Sequence, residues 1–368
     1  MNSSADILII GGGAMGLATA IELARQDRQV TVLSRSFEEA AVHAAAGMLA
    51  PQAEGLAASS MLDLCLQSRS MYPDWIQGLE ELTGLDAGYW PCGILSPLYE
   101  PPPGHSLHAS DWLQPETLNQ RQPGLSAEVK GGWWFPDDAQ VNNRALAQVL
   151  YAAAQQLGVQ LFDGITVKKI QHDAHRITQV ETTAGDWQAQ TYVLTTGAWS
   201  ADLLPVPVFP RKGQLLSVKA QPHAVRLNQV LFGSEIYLVP RQGGQIVVGA
   251  TSEDVGFAPH NTPAGIQQLL TAATRLFPGF ADYVMEEFWW GFRPTTPDEL
   301  PILGASPYEN LVLATGHYRN GILLTPITAA LIAELVLTQT TDPLLESFSW
   351  ERFGSLGCQH DALTATAT

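Results

Sequence analysis

The apolar positions of this chain change period several times, and each change marks an element. Residues 6–10 form a continuous apolar run, which suits a strand buried on both faces. After six intervening residues, Leu17, Ala20, Ile21 and Ala24 recur at helical spacing. Residues 30–33 are a second short apolar run. Strand, turn, helix and strand within about thirty residues make a βαβ unit.

Beyond that unit the pattern predicts a helix over 144–157, capped by Asn142 or Asn143 and ended by Gly158. Strands follow at 159–162, 165–170 and 190–194, the last running into Thr196-Gly197. From 206 to 251 strands and turns alternate, with strands at 215–218, 236–239 and 245–248. A helix is predicted at 265–277, a strand at 311–314, and a long apolar helix near 326–337. Proline and glycine crowd residues 91–136, including Pro101-Pro102-Pro103, which marks loops and edge strands. A polar, frayed tail is expected after Trp350. No run is expected to reach the length of a membrane span.

The turn of the first unit carries chemistry. Gly11-x-Gly13-x-x-Gly16 matches the dinucleotide fingerprint, in the required setting between a strand and a helix. Gly11 permits the turn, Gly13 lets a pyrophosphate approach, and Gly16 lets the helix pack on the strand. The helix N-terminus, with Ala14 and Met15, then offers free N–H groups to phosphate. The usual acid at the end of the second strand is missing. Ser34 and Arg35 stand there, so a ribose hydroxyl and a 2′-phosphate are both compatible with this motif.

Composition narrows the partners. The 368 residues are 46% hydrophobic and carry a net charge of −17. That surface disfavours nucleic acid and anionic lipid. Three cysteines, Cys65, Cys92 and Cys358, are far apart and make no C-x-x-C pair, which argues against a disulfide framework, a zinc site or an iron–sulfur site. His105 and His108 have no third ligand at usable spacing, so no metal is expected. With no basic leader before residues 7–10, a cytoplasmic location is the expectation.

Further segments identify a family. They are His43-Ala44-Ala45-Ala46-Gly47-Met48, Thr195-Thr196-Gly197-Ala198-Trp199, Gly291-Phe292-Arg293-Pro294 and Gly316-His317-Tyr318-Arg319-Asn320-Gly321-Ile322. Together they resemble the D-amino-acid oxidase and sarcosine oxidase superfamily of FAD enzymes, over residues 6 to about 337, and most of all the glycine-oxidising branch that serves thiamine thiazole synthesis. The resemblance implies an α/β fold. An FAD-binding, Rossmann-like domain of glutathione-reductase type would hold residues 1–85, 140–204 and 299–350. An inserted antiparallel-sheet α+β substrate domain would hold 86–139 and 205–298, and 351–368 would be the tail.

It also implies roles. FAD would lie across Gly11–Gly16 with its adenosine near Ser34, Arg35 and Val167, and with Ala45, Ala46, Gly47, Met48 and Gly197 along the cleft. His317, Arg319, Asn320, Gly321 and Ile322 would stand beside the flavin ring. Arg293 would clamp a substrate carboxylate, Tyr237 would close the site, and Arg319 would be a second arginine there. Sarcosine oxidases bind flavin through a cysteine soon after the Gly-x-Arg-Pro stretch. None stands there in this chain, so FAD is expected to be non-covalent. Ser252 and Glu235 replace a methionine and a histidine of a glycine-oxidising relative, which bears on substrate range. Oxygen as acceptor, a thiazole synthase as partner and a tetramer are further implications. Two other functions remain compatible: a dehydrogenase passing electrons to a quinone, and a non-catalytic FAD-binding assembly protein.

The bland reading of these residues is structural. Arg293 would bridge loops, Tyr237 and Cys65 would pack in the core, His317 would be a satisfied buried histidine, and Trp133-Trp134 and Trp289-Trp290 would be core or interface material.

Overall fold

Two eight-stranded sheets, with a small two-stranded one of Met48–Leu49 and Ala139–Gln140, make up the strands in a computed structural model that describes residues 3–101 and 112–354. His105, His108 and Cys358 lie outside the described residues. The first sheet runs in the order Ile302–Ala305, Leu311–Thr315, Gly185–Leu194, Ser3–Ile10, Val30–Leu33, Gln160–Phe162. All but Ile302–Ala305 are parallel along this path, as uninterrupted apolar strands require. Ile7 and Ile9 point into a core shared with helices Ala14–Ala24, Ser60–Thr83, Asn143–Gln156 and Gly321–Thr338. Leu8 and Ile10 point into a second core, roofed by the antiparallel strands Val167–His172 and Ile177–Thr182.

The second sheet has the order Val284–Thr295, Phe209–Lys219, Gln245–Gly249, Tyr237–Pro240, Val230–Phe232, Ile94–Leu98, Gly131–Phe135, Trp112–Leu113. Its pairings are antiparallel except that between Val230–Phe232 and Ile94–Leu98. One face packs on helix Pro263–Leu276. The other carries Leu215, Val230, Val239 and Val247 against Ala46 and Ala50, so it backs onto the loop after the first βαβ unit. This is the expected α/β arrangement, a mostly parallel sheet between layers with a second, mostly antiparallel sheet attached.

Helix Gly321–Thr338 closes the first core and begins at the cleft between the sheets. It starts earlier than its sequence pattern suggests because Pro326 lies inside it. Proline has no N–H, so the carbonyl of Ile322 loses its helical donor. The Tyr72 hydroxyl donates to that carbonyl instead, and Ser68 Oγ donates to Leu323 O at 2.6 Å. Both side chains come from Ser60–Thr83, whose N-cap Ser59 accepts from Leu62 N.

Two expectations need correction, and two elements went unpredicted. Residues 318–338 are long and apolar enough to cross a membrane by length and composition, with mean hydropathy 1.9, although no such run was expected. They are apolar all round because 72% of that window is buried inside the fold. The segment after Trp350 is not frayed at its start. Trp350 is buried, residues 350–354 form a 3₁₀ turn, and Arg352 clamps Asp298 at 2.8 and 3.2 Å. Strand Val284–Thr295 and most of helix Ser60–Thr83 were not predicted.

Tyr72→Phe strips the Ile322 carbonyl of its buried donor. The expected cost is about 1–3 kcal/mol, read as a lower urea midpoint. An unchanged midpoint would show that the carbonyl has another partner.

Candidate active site

Close packing of backbone on backbone builds one end of the cleft. A Cβ on Gly16 would lie 1.9 Å from the Gly11 carbonyl oxygen, so only glycine lets helix Ala14–Ala24 press onto the strand end. Gly11 itself has φ +114° and abuts Thr195. The helix has Gly13 at its N-cap, no side-chain cap and no acid in its first turn. Its N-terminal N–H groups are therefore left for an anion. Beside Gly13 the space is open, with Ala40 Cβ the nearest atom at 3.9 Å from a built Cβ. This cradle fits a pyrophosphate.

Backbone pairing brings together the residues expected beside the adenosine. Ser34 N donates to Phe162 O and Ile165 N donates to Ser34 O, both at 2.9 Å, which draws Val167 alongside. Arg35 lies over the Trp199 ring at 4.3 Å and pairs with Glu39 at 3.5 Å. Glu39 lines the cleft and so places a carboxylate near the end where the second strand has none.

The cleft, with an open volume of about 480 Å³, continues past Thr195–Gly197 and Ala44–Met48 to a second cluster of polar groups. Arg293 comes from strand Val284–Thr295 and Tyr237 from Tyr237–Pro240. The guanidinium lies over Gly213 of the neighbouring strand, where a built Cβ would meet Nη1 at 2.5 Å. Arg293 Nη1 donates to Thr251 O at 3.2 Å. Behind it Lys212, 1% exposed, meets Glu253 at 3.2 Å. Glu253 also accepts from Gln214 Nε2 at 2.7 Å and from the Thr251 hydroxyl. These donors hold the Glu253 carboxyl below its usual range, against the effect of burial. Burial pushes the Tyr237 phenol up, opposed by the Arg293 guanidinium beside it, so it remains a neutral donor at pH 7.

Two more charges complete this end. Arg319, about half exposed, lies 3.8 Å from the Glu54 carboxylate. Glu54 has a side chain only 8% exposed, and its Oε2 has no hydrogen-bond partner among the described residues. Burial raises its pKa, with Arg319 and Arg293 opposing. His317 is 3% exposed, with Nε2 3.2 Å from Thr328 Oγ1. Burial holds its imidazole down at about 3, so the ring is neutral near pH 7.

Most residues picked out from the sequence converge here. Gly11, Gly13, Ala14, Met15, Ser34, Arg35, Ala45, Ala46, Gly47, Met48, Val167, Gly197, Tyr237, Arg293, His317, Arg319, Gly321 and Ile322 line the same cleft, as do Ser252 and Glu235. Gly16 and Asn320 do not line it. Gly16 is packed against Gly11, and Asn320 is buried at the head of the last helix, where its N–H donates to His317 O. Glu54, Glu39, Lys212 and Glu253 were missed. Cys65 is fully buried, and no cysteine lines the cleft among the described residues.

Residues 6–335 match the family described as FAD dependent oxidoreductase, DAO. The chain is 57% identical over 359 residues to the bifunctional protein ThiO/ThiG of Trichormus variabilis, covering 95% of this chain and 55% of the relative. It thus spans about half the length of the first curated relatives it matches. It is 33% identical to the glycine oxidase of Geobacillus kaustophilus, covering 96% and 99%. The crystal structure of that organism's glycine oxidase superposes with TM-score 0.87 at 32% identity, covering 95% and 99%. Iminodiacetate oxidase from Chelativorans sp. BNC1 gives 0.83 at 25% identity, covering 93% and 98%. A glycine cradle joined by one cleft to an arginine–tyrosine cluster, on a chain matched almost end to end, makes this protein a member of the DAO family of FAD-dependent oxidoreductases.

Proposed function

We propose that this chain oxidises glycine, and small amines such as sarcosine and D-alanine, to the imine, with oxygen reduced to hydrogen peroxide. The observation that carries the reading is the Arg293 guanidinium, set beside Tyr237 in the same cleft as the phosphate cradle. Glycine oxidases and fused ThiO/ThiG proteins among its relatives support it.

When bound, FAD supplies the two-electron acceptor. The chain's own residues do the rest. Backbone N–H groups at Gly13–Met15 hold the pyrophosphate, and helix Gly321–Thr338 points its N-terminus at the cleft, favouring negative charge there. Arg293 binds the substrate carboxylate through two parallel hydrogen bonds. Thr251 O, steadied by Glu253 and Lys212, fixes its orientation. Tyr237 donates its hydroxyl to the same carboxylate. Arg319 adds positive charge at the mouth. Non-covalent FAD is part of the reading, supported by the lack of a cysteine soon after Arg293-Pro294, where sarcosine oxidases attach their flavin.

The imine hydrolyses to glyoxylate or passes to a thiazole synthase, the partner that the fused relatives' name suggests. The enzyme works in the cytoplasm. Self-association, with a tetramer as the expected form, is supported by the exposed apolar side chains of edge strand Val284–Thr295, namely Val284, Met285, Phe288 and Trp290.

Purified FAD-loaded protein should form one peroxide per glycine consumed. Absence of peroxide with glycine, sarcosine and D-alanine alike would contradict the reading. Arg293→Met should lower kcat/KM for glycine by about 3 kcal/mol, roughly a hundredfold or more, with FAD affinity unchanged. Equal kcat/KM in the variant would remove Arg293 from the site.

A further inference from the structure

Glu54 holds a buried carboxylate at the reacting end, and the roles given above leave it unused. The other acid at this end, Glu235, is more than half exposed and lies 3.6 Å from Arg275. Glu54 is fixed from behind. Ala53 N donates to Asp138 Oδ2 at 2.8 Å, and Arg69 grips Asp138 at 2.5 Å and Gln52 at 2.6 Å. Glu54 N donates to Ala50 O at 3.0 Å. The turn is thus tied down, Glu54 lines the cleft, and its buried Oε2 has no donor among the described residues. Its nearest cation, Arg319 Nε, is beyond hydrogen-bonding range at 3.8 Å. A buried carboxylate oxygen without a donor is costly, and a ligand N–H removes the cost.

An amino acid carries its ammonium one carbon from its carboxylate. A small site that binds both needs a cation and an anion close together, and Arg293 and Glu54 are such a pair. We propose that Glu54 receives the substrate ammonium and takes one of its protons. This rests on the amino-acid substrate proposed above. One N–H bond breaks and one O–H bond forms on Glu54. The nitrogen is left neutral with a free lone pair, and no electrons are transferred. That lone pair is what the imine requires.

The groups facing Glu54 are Arg319, Arg293, Asp138, Tyr237 and Cys65. Burial raises its pKa, the two arginines lower it, and Asp138 raises it further. A raised carboxyl is a better proton acceptor near neutral pH.

The test is Glu54→Gln in the FAD-loaded enzyme, with kcat/KM for glycine from pH 6 to 10 and acetate affinity from its effect on the flavin spectrum. Glutamine keeps the shape but cannot take the proton. The variant must then draw on free amine already in solution. Its log kcat/KM should climb with pH at unit slope, from about 100-fold below wild type at pH 7 towards wild type at pH 10. Acetate should bind as well or more tightly. Glu54→Asp should keep the wild-type profile shape at lower rate. A Glu54→Gln profile parallel to wild type at every pH, with acetate still bound, overturns this proposal alone. Acetate that fails to perturb wild-type flavin overturns the carboxylate site on which it rests.

Discussion

The contact of Gly16 with the Gly11 carbonyl governs the cleft. Because neither residue carries a Cβ, helix Ala14–Ala24 can start against the end of strand Ser3–Ile10. Its uncapped N–H groups then face the space between the two sheets. The same approach brings Thr195 against Gly11, with Thr195 Oγ1 donating to Gly11 O at 2.8 Å. Two parallel strands therefore end at one level, and the chain after each turns outward to line a single cleft. This is the geometry that open α/β sheets offer to an elongated ligand.

The arginine–tyrosine end of the cleft uses a different kind of support. Its charges are partly buried, so each depends on close partners. Arg293 is oriented through Thr251 O by the Glu253–Lys212 pair, and Glu54 is carried by a turn that Asp138 and Arg69 secure. The second sheet supplies the first group and the loop after the first βαβ unit supplies the second. Leu215, Val230 and Val247 packing on Ala46 and Ala50 holds the two units at a fixed spacing. A rigid sheet face is better suited than a free loop to keep a guanidinium beside a small carboxylate.

Legibility in the sequence followed the locality of each signal. The first βαβ unit was readable because its strands are buried on both faces and its glycines sit at a fixed spacing. The last helix was readable, but its start was not. Pro326 looks like a helix start, and only Tyr72 and Ser68, some 250 residues away in sequence, satisfy the carbonyls near it. Strand Val284–Thr295 was hidden because its apolar residues lie on both faces, several of them exposed. Arg293, Tyr237 and Arg319 stood in recognisable motifs. Glu54 did not: it follows Pro51 in an unremarkable turn, and its burial arises from tertiary packing. Lys212 reads as a surface lysine until Glu253, 41 residues on, is folded over it.

One cleft with cofactor and substrate at opposite polar clusters is the central claim. A crystal structure with FAD and glycolate tests it most directly. The account places the pyrophosphate on Gly13–Met15, the adenosine beside Ser34 and Val167, the flavin ring by Arg319–Ile322, and the glycolate carboxylate on Arg293 and Tyr237. Glycolate bound away from Arg293, or FAD lying in the opposite sense along the cleft, would contradict it.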